Sequence, residues 1–171
     1  MKTVQMRLAM TTAGAGLMSV GLWFHPKPLL LWNASASVPI GLYQVDPMAR
    51  PTVGDFVVFD PPAGLATFLA NRRYLPVGVP LVKTIAAGPG QTVCRIGALV
   101  SVDAKAAAWA LARDRMGRTL PVWQGCIALS QGQVFLLNRS VRDSLDGRYF
   151  GPVSARNIIG RARPIWIRRG A

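Results

Sequence analysis

The chain opens on a long uncharged apolar run and then changes character. Leu8 to Phe24 is 17 residues without a charge, closed by Trp23 and Phe24, and His25-Pro26-Lys27-Pro28 breaks it. That length is at the short end of what spans a bilayer as a helix, and a tryptophan at one end suits the interface. Lys2 and Arg7 precede the run and no acid does, which predicts a cytoplasmic N-terminus with the rest of the chain outside. From Thr52 the pattern becomes that of strands. Phe56-Val57-Val58-Phe59, Leu81-Val82-Lys83-Thr84-Ile85 and Val134-Phe135-Leu136-Leu137 are short buried runs set off by turn residues such as Gly54-Asp55, Asp60-Pro61-Pro62 and Gly88-Pro89-Gly90. Thr92 to Val102 reads as a hairpin, and Ile158-Ile159 with Ile165-Trp166-Ile167 as closing strands. Two stretches have helical spacing: Gly64 to Tyr74, with Leu65, Phe68 and Leu69 on one side, and Ala104 to Met116, with Trp109 and Leu111 as packing residues. The pattern predicts a mainly β domain behind one N-terminal transmembrane helix, with the strands around Phe56, Val82, Leu136 and Ile165 in one core. Leu29 to Trp32 is a second apolar patch that either rests on the bilayer or starts that core.

Composition sharpens this outline. The 171 residues suit one domain, and 51% of them are hydrophobic. The mean hydropathy of +0.29 is high for a soluble protein and agrees with a membrane-associated part. Twenty Lys and Arg against seven acids leave a net charge of +13, a balance that suits nucleic acid, an anionic lipid surface or an acidic partner. The basic residues are scattered, with only short pairs such as Arg72-Arg73 and Arg168-Arg169, and no zinc-finger spacing or RNA-binding aromatic motif occurs. No nucleic-acid partner is therefore expected. Cys94 and Cys126 are too few and too far apart for a zinc site, so no metal or other cofactor is expected either. In an oxidising compartment the two cysteines could form one disulfide, if the fold brings them together. Ala34-Ser35-Ala36 looks like a small-x-small cleavage site, but the apolar run ends ten residues before Ala34, farther than a signal peptide usually allows. An uncleaved anchor is the expectation.

Candidate chemistry begins at Asn33-Ala34-Ser35-Ala36-Ser37-Val38-Pro39-Ile40-Gly41-Leu42-Tyr43. Ser35 and Ser37 stand two residues apart, so in an extended chain they share a face. Pro39 stiffens the segment, biases Val38 towards extended geometry, and Gly41 permits a tight turn. By itself this is an ordinary polar loop; a nucleophilic serine additionally needs a base. Lys83 is the unusual residue, a lysine between Val82 and Ile85 in an apolar strand. Lysines on such strands usually face solvent. Facing inwards, its amine would be desolvated, its pKa lowered, and it would be a competent base near neutrality. The only histidine, His25, sits at the end of the anchor, so a Ser-Lys dyad is the serine arrangement the composition leaves.

Four ordered motifs carry a family resemblance. Ser37-Val38-Pro39, Gly54-Asp55-Phe56-Val57-Val58-Phe59, Lys83-Thr84-Ile85-Ala86-Ala87-Gly88-Pro89-Gly90 and Asp143-Ser144-Leu145-Asp146-Gly147-Arg148-Tyr149-Phe150-Gly151 resemble the successive boxes of bacterial type I signal peptidases. Ser-Val-Pro-Ile-Gly-Leu-Tyr stands where a Ser-Met-x-Pro-Thr pattern is usual, and with the small size and single anchor this resembles the TraF-type peptidases of conjugative transfer, which mature pilin precursors. The resemblance implies a membrane anchor over 1–28 and a Ser-Lys peptidase domain over 29–171, with 98–132 a variable insertion. It implies Ser37 as nucleophile, Lys83 as general base, Ser35 with the Ser37 backbone N–H as oxyanion hole, and Ser144 orienting the lysine. Asp146 and Arg148 match a pair near the site, read here as an ion pair that holds a loop. Gly147 replaces a serine common between them, and Leu136 and Leu137 replace the first two residues of a Gly-Asp-Asn-Arg motif that survives as Asn138-Arg139. The implied substrate is a precursor protein, a propilin or another preprotein, cleaved after a small residue with or without cyclisation. The implied location is the bacterial inner membrane, single-pass, in contact with its lipid, with the catalytic domain in the periplasm. A general signal peptidase, or a catalytically inactive component of a conjugation or secretion apparatus, are the alternatives.

Overall fold

A computed structural model describes residues 29–168. The expected anchor, Leu8 to Phe24, lies outside the described residues, and among these no helix is long and apolar enough to cross a membrane.

The domain is mainly β, as the short apolar runs bounded by turn residues predict. Among the described residues eleven strands run in chain order: β1 Leu30–Asn33, β2 Gly41–Asp46, β3 Phe56–Phe59, β4 Leu81–Ala87, β5 Thr92–Ile96, β6 Leu99–Val102, β7 Lys105–Trp109, β8 Gly125–Ala128, β9 Gln133–Leu136, β10 Val153–Ser154 and β11 Ile158–Ile167. Two short helices interrupt them, α1 Ala63–Asn71 and α2 Gly147–Phe150. One sheet has the order β1-β2-β11-β3-β4-β9-β10 and the other β7-β6-β5-β8, with every pairing antiparallel. β3, β4 and β9 lie side by side in the larger sheet and are buried along most of their length, which is why they read as continuous apolar runs rather than as alternating ones.

Ala86, Ala87, Val93, Val100, Phe135 and Leu137 pack together and join the two sheets, with Trp123 against them. Val57, Phe59, Ile85, Val134 and Leu136 fill one side of the larger sheet. Val38, Tyr43, Val45, Val58 and Val82 fill the other, so the residue after Ser37 is part of the core.

Two sequence expectations are corrected. Residues 104–116 are not helical. Asp103 and Ala104 both have positive φ, 46° and 63°, and form a two-residue turn that pairs β7 with β6. The alanines of this stretch favour a helix, but one of that length is marginal alone, and pairing with β6 wins. The β structure also begins before Thr52, because Leu30–Asn33 and Gly41–Asp46 form a hairpin around the serine loop. The two apolar runs near the C-terminus, Ile158-Ile159 and Ile165-Trp166-Ile167, belong to one ten-residue strand, β11. Pro164 is tolerated there because β3 pairs only from Ile158 to Ala162, leaving that edge of β11 free at the proline.

Cys94 and Cys126 face each other across β5 and β8 and form a disulfide, closing a loop with a sequence separation of 32 residues. Replacing both cysteines by alanine is expected to lower unfolding stability by about 3 kcal/mol. Urea denaturation of the two proteins without reductant measures this, and dithiothreitol should shift only the parent.

Candidate active site

β1 delivers the serine loop and its last residue holds it. Asn33 is buried, and its amide nitrogen donates to the carbonyls of Ser35 (2.8 Å), Val38 (3.2 Å) and Pro39 (3.1 Å). Its Oδ1 accepts from the Ser35 N–H (3.3 Å) and hydroxyl (3.1 Å). From β2, the fully buried Tyr43 donates its hydroxyl to the Pro39 carbonyl at 2.7 Å. Gly41 lets β11 close on this loop, since a Cβ there would lie 2.1 Å from the Trp166 carbonyl oxygen. Ser37 is thus fixed by its neighbours' backbone, half-buried, with its Oγ 2.9 Å from Ser35 Oγ.

Lys83 faces the interior. In the β3–β4 register it stands opposite Val57, which is fully buried, and Lys83 itself is 2% exposed. Its Nζ donates to Ser144 Oγ at 2.9 Å. Burial pulls the amine from 10.5 down to about 8; the Asp146 carboxylate works against this and the Arg148 guanidinium adds to it. Lys83 and Ser144 line the same cleft as Ser35 and Ser37, a cavity of about 680 Å³. Among the described residues no hydrogen bond joins Lys83 Nζ to Ser37 Oγ. A second cavity of about 390 Å³, between Pro39, Phe56, Thr84 and Asn138, also reaches Ser37.

Asp146 and Arg148 lie behind this cleft. Their ion pair is 2.8 Å long and both side chains are essentially inaccessible. Asp146 accepts from Arg148 Nε (2.9 Å), from the Arg148 N–H (3.2 Å) and from the Asn138 N–H (3.0 Å). Arg148 donates onward to the carbonyls of Asn138, Val141 and Arg142. The pair therefore folds the segment 138–148 on itself and presents Ser144 to Lys83, the arrangement of a loop-holding ion pair. Gly147 fits where a side chain would not: a Cβ would meet Phe135 Cε2 at 2.5 Å and the Leu136 carbonyl oxygen at 2.7 Å.

Three supporting residues escape the sequence reading. Asn33 precedes two Ala-Ser repeats, and an asparagine binding its own following backbone is the available signal. Tyr43 offers none. Arg95 alternates in phase with the buried Val93, which places it inside; it donates to the Arg148 and Pro121 carbonyls and ties the second sheet to the 138–148 segment. A fixed hydroxyl and a buried amine with lowered proton affinity, opening on one cleft, are the parts that base-assisted attack on a carbonyl requires.

Comparison with known proteins adds an independent line. The sequence matches the family described as signal peptidase, peptidase S26, over residues 2–167. It is 36% identical over 167 residues to the probable conjugal transfer protein TraF of Sinorhizobium fredii, covering 91% of this chain and 85% of that protein. The conjugal transfer protein TraF of Agrobacterium fabrum is 33% identical over 144 residues, covering 78% and 80% respectively. A plasmid transfer protein TraF of Escherichia coli is 32% identical over 143 residues, with the same coverage.

The buried amine has a consequence for stability. Below pH 8 Lys83 is charged in both folded and unfolded chains, and folding bears the desolvation. Between about 8 and 10.5 the folded chain has lost the proton while the unfolded chain keeps it, so stability rises with pH. The shift corresponds to about 3 kcal/mol, and the hydrogen bond to Ser144 returns about 1 kcal/mol. Lys83→Met is therefore expected to be about 2 kcal/mol more stable than the parent at pH 7, and by pH 10.5 to have lost that gain, with the parent slightly favoured by its Ser144 hydrogen bond. Unfolding curves at the two pH values check both parts.

Proposed function

The chain belongs to the signal peptidase family, peptidase S26, and from that premise we propose that it is a membrane-anchored serine endopeptidase with a Ser37-Lys83 dyad. The observation that carries this reading is Lys83: a lysine 2% exposed, held by Ser144 and lowered to about 8, on the cleft that Ser37 also lines. A buried lysine of this kind costs stability, and a structural role would be served as well by leucine.

In the proposed reaction a precursor lies along the cleft with a small residue before the scissile bond. Lys83 Nζ takes the proton of Ser37 Oγ as that oxygen attacks the carbonyl carbon. The Ser37 N–H and the Ser35 hydroxyl, turned from Asn33, donate to the developing oxyanion; removing one such donor typically costs about a hundredfold or more in rate. The lysine then protonates the departing amine, leaving an acyl-enzyme at Ser37. Water, or the precursor's own N-terminal amine, attacks that ester, and the second route yields a ring. Ser144 keeps the amine's lone pair aimed, and Asp146 with Arg148 keeps Ser144 in place.

The substrate read for this site is a conjugative pilin precursor, supported by the conjugal transfer names of the relatives at 32–36% identity. The uncharged run Leu8 to Phe24 supports a single inner-membrane anchor. The Cys94–Cys126 disulfide supports an oxidising location, hence the periplasmic face, for the catalytic domain.

Co-expression with a candidate propilin, followed by intact-mass analysis, tests the reading. The parent should shorten the precursor, with a cyclised product lighter than the hydrolysed one by one water, and Ser37→Ala should leave it whole. Lys83→Arg should lose about a thousandfold in rate, because a guanidinium stays protonated. The parent's rate should rise about tenfold per pH unit below 8 and level off above it, as the neutral amine accumulates. Processing by Ser37→Ala, or a flat profile between pH 6 and 9, would contradict it.

A further inference from the structure

The cleft that holds Ser37 and Lys83 is apolar along much of its wall, with Leu69, Leu75, Val79, Leu111 and Leu120 among its lining, yet four arginines also reach it: Arg72, Arg73, Arg115 and Arg118. Its two carboxylates are already engaged. Asp114 accepts from Arg118 Nε at 2.7 Å and from the Tyr74 hydroxyl, and Asp143 pairs with Arg115. Arg72 donates to the Thr119 carbonyl at 2.7 Å and lies over the Phe68 ring. Arg73 is solvent-exposed and, among the described residues, its side chain has neither a hydrogen-bond partner nor an acid.

The backbone at Arg73 makes this residue choice informative. α1 ends in a two-bond cap: the Tyr74 N–H donates to the Leu69 carbonyl and the Arg73 N–H to the Ala70 carbonyl, both at 2.9 Å. In that motif the residue after the cap is left-handed and is usually glycine. Here it is arginine, with φ 55°, a conformation that any side chain with a Cβ adopts at a cost. A positive charge near a helix C-terminus is favourable in itself, but Arg72 supplies one with ordinary backbone geometry. What position 73 adds is a free guanidinium on the wall of an apolar cleft.

We propose that Arg73, with Arg72 beside it, is a carboxylate-reading subsite of this cleft, so that the segment accepted there carries an acidic side chain or a free C-terminal carboxylate among apolar residues. The planar fork of a guanidinium suits a carboxylate. The assignment rests on the peptide-cleaving reading of the cleft given above, and it deepens that reading by naming the chemistry of the substrate.

The test uses the full-length Ser37→Ala protein in detergent micelles and fluorescently labelled apolar peptides. Each peptide carries one Glu, or Gln at the same place, at successive positions around an alanine, with a free or an amidated C-terminus. At low salt the Glu peptide, or the free-acid peptide, should bind about tenfold more tightly than its neutral counterpart by anisotropy, and which of the two does so identifies the source of the carboxylate. Adding Arg73→Gly should bring that ratio near one while leaving the melting temperature at or above the parent's, because glycine relieves the left-handed residue; Arg73→Lys should keep part of the ratio. Equal or undetectable binding of all the peptides overturns the proposal. So does a preference that survives in an Arg72→Ala/Arg73→Gly protein. Turnover of the same peptides by the protein with Ser37 intact separates the two readings: cleavage without a carboxylate preference removes the subsite alone, and a preference that depends on Arg73 without any cleavage keeps the subsite and removes the peptidase.

Discussion

The burial of one amine organises this structure. Lys83 Nζ sits among apolar strands with, among the described residues, a single hydrogen-bond partner, Ser144, and desolvation makes its charged form unfavourable. Desolvating that group costs about 3 kcal/mol at neutral pH, of which the Ser144 hydrogen bond returns about 1 kcal/mol, still a sizeable part of the 5–15 kcal/mol that typically separates a folded domain from its unfolded chain. The surroundings are built to sustain it. β3 and β9 enclose β4 with Val57, Phe59 and Leu136. The buried Asp146–Arg148 pair folds the segment that brings Ser144, and Arg95 braces that segment from the disulfide-linked second sheet. Each of these would be an odd expense in a purely structural domain, and together they give the amine a fixed place and a lowered proton affinity.

The hydroxyl side of the site follows the opposite strategy. Ser37 stands on a loop, where backbone freedom would blur its aim, and the chain removes that freedom with hydrogen bonds instead of burial. Asn33 uses both ends of its amide on residues 35–39, Tyr43 holds the Pro39 carbonyl, and Val38 is anchored in the core. A hydroxyl held in this way has given up its conformational entropy in advance, which is what its proposed role as nucleophile requires. The cleft between the two sides is apolar along much of its wall and basic at Arg72 and Arg73.

Much of this was legible in the residues. The buried strands announced themselves because apolar runs four residues long and bounded by turn chemistry have few other destinations, and Lys83 stood out because it interrupts one. What it faced was not legible, since a strand buried on both sides gives no alternation from which to read direction. The helix expected over 104–116 failed because local alanine content says nothing of the neighbouring strand β6, and the Asp103-Ala104 turn lacks the glycine that usually marks such a hairpin. The β1–β2 hairpin was hidden by the serine loop at its centre, whose small polar residues dominate the reading there. Long-range partners were invisible for the same reason: nothing local connects Arg95 with Arg148, 53 residues away, and the Cys94–Cys126 pairing depended on a register that only the folded sheet supplies.

The state of the Lys83 amine can be observed without any substrate. The chain has only four lysines, Lys2, Lys27, Lys83 and Lys105, so lysine labelled with carbon-13 at Cε gives a simple spectrum, and the Lys83→Met protein identifies the missing signal. Titrated in the full-length protein, that signal should move with a midpoint near 8, well below the 10.5 of an ordinary lysine. A midpoint at or above 10 would mean that the amine is charged throughout the physiological range, and the account of Lys83 as the base for Ser37 would be wrong.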